Sequence, residues 1–78
     1  LVKDLKLGLN NRIAFTKHLF DGSKDALNES IQNINKCKDF KEAKLYIEQD
    51  LKPKYDNWKG KEEYEERFLN LVENKFSE

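Results

Sequence analysis

Few side chains in this chain are equipped for chemistry. There is one histidine, His18, and one cysteine, Cys37. Glutamates stand at 62, 63, 65 and 66, and aromatic residues alternate with lysines around Tyr55 and Trp58. A histidine serves as a general acid or base when a second group orients it and a substrate lies within reach. Helical spacing groups His18 with Asn11, Ala14 and Asp21, opposite the apolar side chains, so a solvated surface histidine is expected. Cys37 has no activating partner nearby and extends the apolar series Leu27, Ile31 and Ile34, which marks a structural thiol rather than a nucleophile. Four glutamates on one helical turn diverge around its circumference, whereas a hard cation needs oxygens converging on it. A single histidine with a single cysteine does not make a zinc set.

The stretch 52–61 is the strongest candidate. Lys52, Lys54, Lys59 and Lys61 surround Tyr55 and Trp58 with Asp56 as the one acid. Aromatic rings between bases can stack on unpaired nucleotides while the lysines neutralise phosphates. The same residues can instead close a small core from the loop side, with lysine stems lying over the rings. A helix-turn-helix over 23–51 is disfavoured, because acids outnumber lysines in its second helix, "DFKEAKLYIEQDL". No glycine-rich phosphate loop, G-x-S-x-G elbow or paired-cysteine motif occurs. The expectation is a non-catalytic chain with no cofactor and no metal.

These residues must be positioned by helices, because the apolar pattern is helical nearly throughout. "LVKDLKLG" reads as one or two helical turns. A helix over about 10–20 follows, started by Asn10, with Leu9, Ile13, Thr16 and Phe20 as its stripe and Phe15 and Leu19 flanking it. Arg12 on this helix is within reach of a carboxylate. Asp21-Gly22 stops the helix and Ser23 caps the next, which carries Asp25 in its first turn. Asp39 and Glu42 have capping-box spacing and open a third helix through Phe40, Ala43, Tyr46, Ile47 and Leu51, ended by Pro53. Leu45 lies off that stripe, implying cover on two sides. A fourth helix over about 61–76 carries Tyr64, Phe68, Leu71 and Val72, with Glu63 and Arg67 paired at i,i+4. The expected fold is all-α: a small antiparallel array of three to four amphipathic helices plus a short N-terminal helical segment, forming one domain over 1–78.

Seventy-eight residues lie near the lower size for an unaided core, and no disulfide can staple this one. Lysine and arginine balance aspartate and glutamate at fifteen each, so no global field draws the chain to nucleic acid or anionic lipid. The balance is uneven along the chain. Residues 1–61 carry 13 bases and 9 acids, a net of +4, and residues 62–78 carry 2 and 6, a net of −4. No apolar run approaches the roughly 18 residues of a membrane span. The unpaired cysteine favours a reducing compartment, and so the cytoplasm over export. The chain begins at Leu1 and contains no methionine, so it is expected to be a piece, or the C-terminal domain, of a longer polypeptide.

The run Leu9-Asn10-x-Arg12-x-x-Phe15, the "LFDG" corner, the Glu42-Ala43 helix and the closing Phe76 resemble a small helical domain of uncharacterised bacterial proteins. There it tends to sit at the C-terminal end of a longer chain, and the resemblance implies no known activity. The Leu19-Phe20…Ala26 and Phe40…Ala43 placements are similar to tetratricopeptide-like helix pairs, but the signature residues and the ~34-residue period are missing. The function expected is a protein-interaction or assembly module of a larger bacterial protein. Its partner, a protein or the rest of its own polypeptide, would dock through Phe15, Tyr46 and the loop residues Lys54, Tyr55, Trp58 and Lys59. The alternative is a nucleic-acid- or ribosome-associated module using that same loop.

Overall fold

Local chemistry sets most helix boundaries in the computed structural model, which describes Leu5 and residues 7–77. Four α-helices occur among the described residues: α1 (Leu9–Leu19), α2 (Lys24–Asn35), α3 (Phe40–Tyr46) and α4 (Glu62–Lys75). The fold is all-α, with no strand among those residues. The expected N-terminal helical segment falls outside the described residues except for Leu5, Leu7 and Gly8, which are not helical. Ser23 Oγ accepts from the Ala26 amide at 3.1 Å, satisfying one of the free donors at the start of α2. At α3 the Glu42 amide donates to Asp39 Oδ1 at 2.9 Å while Glu42 Oε1 receives the Lys38 amide at 3.3 Å. This is a reciprocal capping arrangement displaced by one residue. Helix α1 starts earlier than expected: Gly8, not Asn10, is its extended N-cap, and the Gly8 carbonyl accepts from the Arg12 amide at 2.9 Å.

The largest departure is the rotation of α1. Phe15 and Leu19 are fully buried, whereas Leu9 and Ile13, expected in the core, are 73% and 58% exposed. With about 100° per residue, Ile13 and Phe15 point some 200° apart, so the helix cannot bury both. The aromatic side chain offers more apolar area and its ring finds ring partners. Phe15 meets Phe68 edge-on at 5.3 Å, and Phe20, just past the helix end, meets Trp58 at 6.0 Å and Phe68 at 6.2 Å. Leu27, Ile34, Ala43, Ile47 and Val72 complete the enclosed core.

Beyond Tyr46 the backbone widens into a π-helical turn, Ile47–Leu51, and then tightens into 3-10 turns over Lys52–Trp58 that are interrupted by a kink at Tyr55, Asp56 and Asn57. Regular α-helix therefore stops well before Pro53, and the stretch 52–61 is folded rather than an open loop. Leu45 is 46% exposed, so α3 is covered on one side only. Asp56, Asn57 and Trp58 follow one another with φ of 54°, 56° and 53°. The left-handed region costs an L-residue roughly 1–2 kcal/mol, least for Asp and Asn and most for a bulky side chain. Trp58 is held there because its ring is fully buried among Phe20 and Phe68, and its Nε1–H donates to the Leu19 carbonyl at 2.8 Å. That carbonyl belongs to the last turn of α1, where no helical donor remains.

Substitutions at this corner are expected to change stability in a residue-specific way. Trp58→Phe keeps the aromatic contacts but strands a buried carbonyl, and lowers stability by about 1–3 kcal/mol in urea unfolding followed by circular dichroism. At Asn57, glycine holds or slightly raises the urea midpoint, while valine lowers stability by about 1–2 kcal/mol, because only the second is penalised at φ 56°.

Candidate docking groove

The structure separates the residues singled out in the sequence. Phe15 and Trp58 are fully buried, so neither presents its ring to a partner in this fold, and Trp58 caps the core. Tyr46 is half-buried and its hydroxyl accepts from Asn33 Nδ2 at 3.0 Å, tying α3 to α2. Tyr55 is half-buried edge-on to Phe20 at 5.4 Å. Lys54 and Lys59 are exposed. The 52–61 stretch therefore offers lysines and the edge of one phenol to solvent, and no free indole for a base to stack on.

His18 is not on the wet face. Turning α1 to bury Phe15 brings His18 towards α4, where its ring stacks on Tyr64 at 4.1 Å with 12° between planes. Arg67 covers the Tyr64 ring at 5.8 Å and stands 3.9 Å from Glu63 across one helical turn. Cys37 is half-buried, with its thiol donating to the Asn33 carbonyl at 3.3 Å. Burial, then the negative charge and hydrogen bond of Glu42, push that thiol up against a smaller opposing effect of Lys75. A thiol raised in this way is protonated at neutral pH and is a poor nucleophile. Among the glutamates, Glu65 is tied to Lys52 at 2.7 Å and Glu62 accepts the Gly60 amide at 3.0 Å. Among the described residues no group of three or more His, Cys, Asp or Glu side chains is arranged to hold a metal, and no helix is long and apolar enough to cross a membrane.

What the rotation of α1 creates is a surface feature. Leu9, Ile13 and Thr16, at i, i+4 and i+7, form one wall of an open groove of about 580 Å³ that runs to the α1–α2 corner at Gly22. Gly22, at φ 84°, turns the chain there with its amide on the Thr16 carbonyl at 2.7 Å. Arg12, Lys17 and Lys24 rim the groove. Arg12 reaches Asn28 Oδ1 at 2.5 Å rather than a carboxylate, which fixes its position while leaving its charge uncompensated by that contact. The helical period of these residues is plain in the sequence, but their outward direction is not. The signal for it lies in the pair of aromatics, Phe15 and Phe20, competing for the same interior.

Burial also raises the phenols. It is the main cause for Tyr46, opposed by the Asn33 hydrogen bond, and for Tyr55, assisted by Asp21 and Glu29. A raised pKa means that the fold favours the neutral form. The contribution of Cys37, Tyr46 and Tyr55 is therefore complete below their ordinary values and lost as pH rises through the folded ones. The urea midpoint is expected to fall above about pH 9, and a Cys37→Ala, Tyr46→Phe, Tyr55→Phe variant is expected to lose less over the same rise.

No curated protein and no solved structure matches this chain. A family model does, over residues 5–77, which takes in all four helices, the Trp58 corner and the groove. The chain belongs to the family described as Domain of unknown function (DUF8457).

Proposed function

We propose that this domain is a non-catalytic protein-interaction or assembly module of a larger bacterial protein, working in the cytoplasm, and that its partner docks on the Leu9–Ile13 groove. One observation carries the reading. Two large aliphatic side chains, one helical turn apart, stand 73% and 58% exposed on a helix whose other face is fully packed. Isolated exposed apolar residues are ordinary, whereas a grouped pair lining a groove with a charged rim is the pattern of a docking surface. Leu9, Ile13 and Thr16 at i, i+4 and i+7 suit helix-on-helix contact. Neither side chain is needed for the fold, because the interior is filled without them. Residue types and spacing alone centre the docking surface on Phe15, Tyr46 and the 52–61 stretch. Burial of Phe15 and Trp58 moves that reading to the outer face of α1.

Ile13→Glu tests it. The variant is expected to keep the wild-type urea midpoint within about 0.5 kcal/mol, as suits an exposed site. It is also expected to lose the proteins that the wild-type domain captures at low salt from the lysate of its own cells. Equal capture by both proteins removes the groove from the reading. Retention of single-stranded RNA that weakens steeply with salt, and is lost on Lys54→Ala with Lys59→Ala, would put the nucleic-acid module in its place.

A further inference from the structure

The groove has an apolar wall and a positive rim, and the same chain displays the complementary surface elsewhere. The outer face of α4 carries Glu62, Glu63 and Glu66, all exposed, with Arg67 on its flank and Lys52 and Lys61 at its N-terminal end. Leu69 and Leu71 lie half-buried on either side of the Glu66–Asn70 ridge, each at the edge of a shallow depression, of about 340 and 370 Å³. An acidic ridge with leucine edges matches a leucine–isoleucine wall with a lysine–arginine rim. Among the described residues neither Lys17 nor Lys24 is paired with a carboxylate.

The two surfaces cannot meet within one molecule. Helices α1 and α4 pack through Phe15 on Phe68 and His18 on Tyr64. Ile13 points about 200° from Phe15, and Glu66 and Asn70 each point about 200° from Phe68. The groove and the acidic face therefore look outward, away from the shared interface. From this we infer that the groove receives the α4 face of a second copy of this chain, joining copies head to tail. The inference rests on the docking reading of the groove and names its occupant. Such a contact is heterologous, so each added copy leaves one groove and one acidic face open, and growth continues past the dimer unless the rotation closes a ring. With two exposed aliphatic residues at its centre, the contact is weak and depends on salt.

Sedimentation of the 78-residue chain from roughly 10 µM to 1 mM, the range in which weak contacts saturate, tests this. The weight-average mass is expected to rise with concentration at low salt, to pass the dimer, and to fall back at high salt. Ile13→Glu, Lys17→Glu with Lys24→Glu, and Glu63→Lys with Glu66→Lys are each expected to remain monomeric, with wild-type circular dichroism. An equimolar mixture of the two double variants regains association, because the untouched acidic face of one meets the untouched basic groove of the other. A wild-type chain monomeric at 1 mM and low salt overturns the second copy as occupant. The groove itself then stands or falls on the Ile13→Glu capture experiment. Association that survives Ile13→Glu, or a mixture that stays monomeric, likewise overturns the inference.

Discussion

The indole N–H of Trp58 on the carbonyl of Leu19 is the contact around which the rest of the domain is arranged. It closes the end of α1, places the largest side chain of the core against Phe20 and Phe68, and draws the backbone of residues 56–58 through a left-handed path. A bulky residue in that region is penalised on its own, and it persists because burial and the hydrogen bond together over-determine its position. Asp56 and Asn57, short polar residues that tolerate this conformation, lead into it. The route from α3 to α4 thus works as a wedge from the middle of the chain, reaching under the first helix.

That wedge decides which way α1 faces. Once Trp58 and Phe68 form the floor, Phe15, Leu19 and Phe20 are the side chains that complete it, and Leu9 and Ile13 are left outside. The same rotation brings His18 onto Tyr64 and covers it in part. Core packing and the exposed groove are two faces of a single choice of helical phase. The pattern of docking residues is therefore inherited from the interior, with no separate device needed to hold it rigid.

Features governed by neighbours along the chain are legible in the sequence. Ser23 and Asp39 cap helices as their residue types and spacing require. The limits of α4 fall within a residue of those expected from its apolar period and its acidic first turn. Features governed by distant contacts are not legible there. The period of α1 is evident in its residues, but its phase depends on rings contributed by residues 58 and 68. The π-helical turn over Ile47–Leu51 and the left-handed Trp58 carry no local signature, since no propensity favours either. The groove is hidden in the sequence because its residues, Leu9 and Ile13, look by type like core.

The Leu19–Trp58 contact joins residues 39 positions apart, and this has a consequence for how the chain acquires its structure. A hairpin of α1 and α2 alone leaves an open carbonyl at its corner and presents Phe15, Leu19 and Phe20 to water. The second half alone keeps Phe68 beside the tryptophan but lacks Phe20 and the Leu19 carbonyl that hold its strained backbone. Neither half carries the whole core. Helices α1 and α2 lie close in sequence and form contacts quickly, yet they gain stability only when a long loop closes on them. Ordering of the two halves is accordingly coupled, and a cleavage between residues 35 and 58 would turn the Leu19–Trp58 contact into one between two separate chains.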